Sequence, residues 1–184
     1  MADSDRVRIL FVCLGNICRS PTAEAVVRDI ARAEFPDLEL TLDSAGTGDY
    51  HIGAPPDARA SAHAAKRGYD LEMLRARQVE PADFRRFDLI LAMDEANRRD
   101  LETIRPADAT AKLSLFLEFA PGRAGESVPD PYFGGEPGFE QVLDLSEAAA
   151  RGLLAALRRG LVGGGRQSGS RRDGRSGGLG LRDG

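Results

Sequence analysis

Two short apolar runs, at residues 7–13 and 87–93, dominate the hydropathy pattern of this sequence. Each is about the length of one strand and lacks the polar face of a half-exposed element, which predicts a strand buried on both sides. Strands buried in this way belong to parallel sheets covered by helices. The chain is therefore expected to adopt an α/β fold.

The patterns around these runs fill in the rest of the sheet. Further strands are predicted at 38–43 and 112–116, and helices at 20–33, at 56–67, from 94 onward and at 139–159. Ser20 is predicted to cap the first helix, with Pro21 in its first position. The alternation predicts a four-stranded parallel sheet with helices on both faces, and a ligand site beyond the carboxyl ends of the strands.

The organisation of the chain is simple. Its 184 residues match one domain of ordinary length. Residues 161–184 are rich in Gly, Ser and Arg and poor in apolar residues, so they are expected to form a disordered tail behind a domain at 1–160. The net charge of −4 argues against a nucleic acid partner. Because the sequence shows neither a signal peptide nor a long apolar run, a cytoplasmic protein without membrane contact is expected.

One segment carries chemistry. Cys13 ends the first predicted strand and Arg19 opens the following helix, with Gly15 and Asn16 between them. A helix N-terminus preceded by a flexible loop directs unpaired backbone N–H groups at a phosphate, and an arginine adds a planar fork of donors. The same positive field favours the thiolate form of Cys13, and the Ser20 hydroxyl is placed to donate to it. The segment predicts a phosphate site with a nucleophile.

Other interpretations of the same residues are weaker. The glycine patterns of nucleotide-binding and dinucleotide-binding loops are absent after this strand. A cysteine is most often a plain core residue, which remains open for Cys18. A zinc site would need four ligands, and besides Cys13 and Cys18 the chain offers only His51 and His63. No role is assigned to His63, which is expected to be a surface or packing residue.

The segment also carries a family resemblance. It resembles the signature of the low molecular weight protein tyrosine phosphatases, and further stretches match that family in order. The matching stretches are 12–25, 43–47, 76–78, 93–97 and 130–134. The resemblance implies the three-layer fold of that family and hydrolysis of phosphotyrosine, and of small aryl phosphates, through a phosphocysteine intermediate.

The resemblance implies a role for each matched residue. Cys13 corresponds to the nucleophile, Arg19 to the group that binds the transferring phosphoryl, and Asp130 to the general acid that later acts as base. Asn16, Ser20 and Ser44 correspond to residues that brace the loop. The phosphate-binding loop would consist of Leu14, Gly15, Asn16, Ile17, Cys18 and Ser20.

The resemblance also bears on substrate entry and on regulation. Tyr50, Tyr132 and Phe133 would line the entrance and stack on an aryl phosphate, although Tyr50 could equally be an ordinary loop aromatic. Cys18 would form a reversible disulfide with the nucleophile, which fits the chemistry of an exposed thiolate beside a second thiol. Neither metal nor cofactor is expected, because arginine and backbone amides supply the positive charge.

One position departs from the family pattern, and three other functions are compatible with parts of the sequence. Leu74 stands where many members carry a histidine of the hydrogen-bond network behind the loop. Arsenate reductases of this fold need a further cysteine pair, and none follows Cys18. Phosphoarginine phosphatases tend to carry Thr where Ile17 stands. A non-catalytic phosphate-binding module would lack the nucleophile or Asp130. The prediction is a protein-tyrosine phosphatase acting on tyrosine-phosphorylated proteins, as a monomer or weak dimer.

Overall fold

The computed structural model describes residues 5–160. Within this range strands and helices alternate along the chain. They are β1 (Val7–Cys13), α1 (Arg19–Glu34), β2 (Leu40–Gly46), α2 (Ala58–Lys66), α3 (Asp83–Arg86), β3 (Leu89–Ala92), α4 (Glu95–Ile104), β4 (Lys112–Leu115), a 3-10 helix (Phe116–Phe119) and α5 (Glu136–Arg158). The predicted disordered tail at 161–184 lies outside the described residues and stays a prediction.

The four strands form one parallel sheet in the order β2-β1-β3-β4. From β1 the chain first adds β2 on one side and then β3 on the other. Loops that follow two such neighbouring strands diverge toward opposite faces of the sheet and leave a crevice at the carboxyl ends. Cys13 is the last residue of β1, so it opens into this crevice.

Helices cover both faces of the sheet, as predicted. Ile9 and Phe11 of β1 pack into the core shared with α1 and α5. Leu10 and Val12 point the other way, into a core completed by α3 and α4. Alternate residues of one strand thus enter two different cores, which explains why the sequence of β1 has no polar face. Within residues 5–160, none of the helices combines the length and the apolar character needed to cross a bilayer.

Two element boundaries beside Cys13 differ from the sequence-based prediction. Helix α1 begins at Arg19 and is preceded by Cys18, so the prediction that Ser20 caps it is wrong. The Ser20 hydroxyl instead lies against the Cys13 thiol. Strand β2 covers Leu40–Gly46 rather than 38–43, because its small residues at 44–46 pair with the end of β1. That extension carries Ser44 to the edge of the sheet where Cys13 ends.

Three smaller differences concern the helices. Helix α2 starts later than predicted because Asp57 caps it, accepting hydrogen bonds from the backbone N–H groups of Arg59 and Ala60. Helix α5 starts earlier, with Glu136. The single-turn helix α3 and the 3-10 helix were not predicted, since elements of four residues leave too little periodicity to detect.

Candidate active site

The loop between β1 and α1 encloses the Cys13 thiol. The backbone N–H of Asn16 donates to Cys13 Sγ at 3.2 Å, and Ser20 Oγ lies 3.1 Å from the same sulfur. Asn16 adopts a left-handed backbone with φ of 55°, which turns its N–H inward. An N–H and a hydroxyl group therefore both contact one buried sulfur. The structure thus brings together the residues that the sequence predicted for this loop.

The Asn16 side chain ties the loop to two other parts of the fold. Its amide nitrogen donates to Ser20 Oγ at 2.8 Å and to Ser44 Oγ at 3.0 Å. Its amide oxygen accepts from the backbone N–H of Arg77 at 3.0 Å. These bonds hold a residue in a backbone conformation that only Gly and Asn adopt easily. Ser44 therefore lies where a residue supporting the loop was expected.

Arg77 is a supporting residue that the sequence analysis missed. Its guanidinium forms ion pairs with Asp43 of β2 and with the fully buried Asp83 of α3. Burial opposes ionisation of Arg77, but the bonds to Asp83 and Asp43 more than offset it, so the pKa lies above its usual range. The clamp fixes the backbone that donates to Asn16. The only sequence signal was its place in the matched stretch 76–78.

Two glycines let the loop close. A Cβ on Gly15 would lie 3.0 Å from the ring of His51, and a Cβ on Gly46 would lie 2.6 Å from the carbonyl oxygen of Leu14. Gly15 itself does not adopt a positive φ, whereas Asn16 does. A glycine is needed at position 15 because a larger residue would crowd the His51 ring. This contact cannot be read from the local sequence.

Arg19 is buried beside the loop, and one nitrogen of its guanidinium is held by two hydrogen bonds. Nη1 donates to Asp94 Oδ2 at 2.6 Å and to the carbonyl oxygen of Val128 at 3.0 Å, while Nη2 lies 3.5 Å from Asp130 Oδ2. Burial lowers the pKa of Arg19, but the charges of Cys13, Asp94 and Asp130 outweigh this and raise it above its usual range. The arginine therefore stays charged beside the thiol.

Asp94 is the second supporting residue that sequence reasoning missed. It caps α4 through the backbone N–H of Asn97 with one carboxylate oxygen and orients Arg19 with the other. A signal was present, because Asp94 follows β3 and the carboxyl ends of neighbouring parallel strands share one edge.

Asp130 approaches from a different part of the chain. It belongs to the irregular segment between the 3-10 helix and α5, and its side chain is 39% exposed. One carboxylate oxygen accepts from the backbone N–H of Tyr132 at 3.0 Å. The predicted general acid thus faces Arg19 across the crevice while remaining open to water.

A cavity of about 300 Å³ joins these groups. Its walls include ten of the predicted residues together with His51, which was not predicted as a site residue. The lining residues are Cys13, Leu14, Gly15, Ile17, Cys18, Arg19, Tyr50, His51, Asp130, Tyr132 and Phe133. Asn16, Ser20 and Ser44 do not line it, in keeping with the supporting role predicted for them. Aromatic rings surround the mouth, with Tyr132 and Phe133 packed edge to face at 4.8 Å.

Cys18 lies on the cavity wall as a buried, free thiol, and Cys13 is free as well. Burial, reinforced by the charges of Asp57, Cys13 and Asp130, raises the pKa of Cys18 to about 12. Cys18 is therefore a neutral thiol at physiological pH. Within residues 5–160, no three His, Cys, Asp or Glu side chains are grouped closely enough to hold a metal ion.

Leu74 occupies the position at which the family resemblance implies a histidine. Leu74 packs partly buried against the core that α1 and α5 share. Glu24 of α1 is only 7% exposed, and its Oε1 has no hydrogen-bond partner among residues 5–160. Burial raises the pKa of Glu24 to about 7, against a lowering effect of its hydrogen bond with Ser44.

A parallel α/β sheet that presents a thiol within an anion-binding loop, beside a fixed arginine, defines a cysteine-dependent phosphatase. Comparison with known proteins makes this specific. Residues 8–162 match the family of the low molecular weight phosphotyrosine protein phosphatases. The chain belongs to this family, which confirms the predicted family, fold and enzyme class.

Three relatives illustrate the range of similarity. A low molecular weight protein-tyrosine-phosphatase of Streptomyces coelicolor is 46% identical over 161 residues, which cover 85% of this chain and 96% of the relative. The crystal structure of a protein tyrosine phosphatase from Entamoeba histolytica with Hepes in the active site superposes with a TM-score of 0.79 at 39% identity, covering 84% and 99% of the two chains. A Drosophila arginine phosphatase superposes with a TM-score of 0.74 at 30% identity, covering 80% and 95%.

Proposed function

We propose that this protein hydrolyses phosphotyrosine in cytoplasmic proteins, and small aryl phosphates, through a phosphocysteine intermediate on Cys13. The observation that carries the proposal is the convergence of a thiol, a fixed arginine and a partly exposed carboxyl on one cavity with aromatic walls. The substrate phosphate would lie in the loop, held by backbone N–H groups and by the Arg19 guanidinium.

The first chemical step would transfer the phosphoryl group to the enzyme. The Cys13 thiolate attacks phosphorus, and the sulfur–phosphorus bond forms as the bond to the phenolic oxygen breaks. Asp130, in its protonated form, gives its proton to that leaving oxygen. The phosphoryl group carries its negative charge beside Arg19 and the loop amides, which supply stabilisation without a metal ion.

The second step would release inorganic phosphate. A water molecule attacks phosphorus, Asp130 now accepts its proton, and the sulfur–phosphorus bond breaks to return the thiolate. One carboxyl can serve both half-reactions because it ends the first in the ionised state that the second requires. The exposure of Asp130 supports this role, since water has to reach the phosphocysteine from that side.

The walls of the cavity support an aryl substrate. The apolar Ile17 lies on its inner wall, and the rings of Tyr132, Phe133 and Tyr50 surround its mouth. A tyrosine side chain is long enough to bring its phosphate to the bottom of such a cavity while its ring contacts these groups. Phosphoarginine is the alternative substrate, because one structural relative is an arginine phosphatase.

A single assay tests the proposal and separates the substrates. Phosphate release is measured from para-nitrophenyl phosphate, a phosphotyrosine peptide and phosphoarginine, with native protein and with Cys13→Ser, kept reduced and without added metal. We expect turnover of both aryl phosphates, little turnover of phosphoarginine, and a loss of about 10⁴-fold or more in Cys13→Ser. Preferred turnover of phosphoarginine would reverse the substrate assignment. Binding of phosphotyrosine peptide without turnover would indicate a phosphate-binding module.

We further propose that Cys18 protects the nucleophile during oxidation. Peroxide would convert the Cys13 thiolate to a sulfenic acid with release of hydroxide. The Cys18 thiol would then attack that sulfur, forming a disulfide and releasing water. The expected result is that dithiothreitol restores activity after peroxide treatment in the native protein and fails to do so in Cys18→Ser. Equal recovery in both proteins would contradict this role.

A further inference from the structure

The segment that carries Asp130 has few attachments to the rest of the fold. At its start, the backbone N–H of Val128 bonds to the carbonyl of Met93 at 2.7 Å. Beyond that point, among the described residues 5–160, only two polar contacts reach residues 129–134 from outside. They are the Arg19–Asp130 ion pair at 3.5 Å and a hydrogen bond from Arg59 Nη2 to the carbonyl oxygen of Tyr132 at 3.0 Å.

Arg59 is itself held in place. It lies in the first turn of α2, and its guanidinium is bonded to the carboxylate of Asp57 at 3.2 and 3.1 Å. The guanidinium also lies over two rings, 4.9 Å from the centre of Phe139 and 5.6 Å from that of Tyr132. Phe139 in turn stacks on His63, with ring centres 5.5 Å apart. Arg59 therefore joins α2, the start of α5 and the Asp130 segment.

The hydrogen bond between Arg59 and Tyr132 is coupled directly to the position of Asp130. The backbone N–H of Tyr132 donates to the Asp130 carboxylate, so the residue whose carbonyl Arg59 holds also orients the carboxyl group. A shift of Tyr132 away from α2 would carry the carboxylate with it. A misplacement of about 1 Å is enough to slow a proton transfer substantially.

We propose that Arg59 is a positioning residue that holds Asp130 where it can protonate the leaving group. The inference rests on the proposed function, in which Asp130 is the general acid. The hydrogen bonds of the Arg59 side chain go to Asp57 and Tyr132 and not to the phosphate loop or the Cys13 thiol, so we expect its removal to affect phosphate binding less than proton transfer. The step that suffers would be protonation of the departing oxygen.

Leaving groups distinguish this role from a merely structural one. Para-nitrophenol is a strong enough acid to depart without much protonation, whereas phenol depends on the general acid. Values of kcat/KM, which include transfer to Cys13 but not the later hydrolysis, are compared for phenyl phosphate and para-nitrophenyl phosphate. The variants are Arg59→Ala, Arg59→Lys and Asp130→Asn. The matched control is Arg85→Ala, because Arg85 is an equally exposed arginine paired with an aspartate remote from the cavity.

We expect Asp130→Asn to reduce kcat/KM for phenyl phosphate by about 10²-fold or more, and for para-nitrophenyl phosphate far less. Arg59→Ala should show the same selectivity with a loss of about tenfold for phenyl phosphate, and Arg59→Lys an intermediate loss, since an ammonium cannot form the same fork. Arg85→Ala should match the native protein. If Asp130→Asn is unselective, the proposed role of Asp130 fails. If Asp130→Asn is selective and Arg59→Ala slows both substrates equally or neither, the role of Arg59 is refuted.

Discussion

The phosphate loop and the Asp130 segment meet at one cavity but are built in opposite ways. In the loop, a single side chain, Asn16, makes three hydrogen bonds to groups from α1, β2 and the Arg77 backbone. The Asp130 segment is largely exposed, has no regular secondary structure and is attached at few points. The difference follows the chemistry, because a phosphate is best stabilised by donors already in place, whereas an acid that also serves as base must admit substrate and water.

The largest effect is expected from changing the loop's charged donor. In Arg19→Lys the ammonium cannot bond Asp94 and the Val128 carbonyl while also presenting a planar fork to phosphate. We expect kcat/KM to fall roughly 10³-fold. The fall should be equal for phenyl phosphate and para-nitrophenyl phosphate, because in the proposed mechanism Arg19 contacts the phosphoryl group and not the leaving oxygen. A strong dependence on the leaving group would mean that the two regions do not divide their roles in this way.

A second change weakens the rigidity of the loop itself. Asn16→Ala removes three hydrogen bonds around a buried left-handed residue. We expect a loss of about 2–4 kcal/mol in the free energy of unfolding and roughly 10²-fold in kcat, measured by urea denaturation and by phosphate release.

Asn16→Gly is the matched control for the backbone. Glycine accepts the positive φ freely but makes none of the side-chain bonds, so it should recover about 1 kcal/mol of stability and little activity. Full recovery of activity in Asn16→Gly would show that the backbone conformation alone organises the loop.

A third change concerns Glu24, a buried carboxyl group of α1 with one oxygen that lacks a hydrogen-bond partner among residues 5–160. The folded protein holds the Glu24 proton up to a pKa of about 7, whereas the ordinary value is 4.5. As the pH rises, the unfolded chain therefore releases this proton at a lower pH than the folded protein does. The free energy of unfolding consequently falls as the pH rises from about 4.5 to 7. A shift of this size corresponds to about 3 kcal/mol.

Glu24→Gln removes this pH dependence. At pH 8 the variant should be more stable than the native protein by up to about 3 kcal/mol, and at pH 5 the two should differ much less. Urea denaturation at both pH values measures this. Glu34→Gln, on an exposed part of the same helix, should keep the native pH dependence. If Glu24→Gln follows the native curve instead, the Glu24 carboxyl is not the group that loses its proton.

The same contrast explains how much could be predicted from the sequence. The sheet was predictable because burial of β1 and β3 on both faces leaves apolar runs in the sequence. The loop was predictable because its residues are contiguous. The supports Asp94 and Arg59 were not predicted, since Arg19 meets Asp94 and Arg59 meets Tyr132 across long sequence separations. The position of Asp94 after β3 indicates the edge of the sheet at which it lies, but neither contact partner can be read from a local pattern.

Ser20 shows a different kind of failure. A serine and a proline at the start of a helical pattern are typical of a cap, and this preference predicted the wrong helix start. In the structure the Ser20 hydroxyl instead forms hydrogen bonds with the Cys13 sulfur and the Asn16 amide. The capping preference of serine does not determine its position where a functional site uses the side chain. A serine that could cap a helix but does not is therefore typical of a functional site.

The smallest effect is expected at the exposed rim beside Asp130. The Phe133 ring is 93% exposed, so Phe133→Ala should leave the free energy of unfolding unchanged. If the ring stacks on the substrate, KM for a phosphotyrosine peptide should rise roughly two- to tenfold with kcat unaltered, as expected for an interaction equal in ground and transition states. Met73→Ala, at an 84% exposed position that does not line the cavity, is the control and should change neither value. A drop in kcat for Phe133→Ala would instead mean that the ring, like Arg59, helps to hold Asp130, and that the open segment is more tightly organised than its exposure indicates.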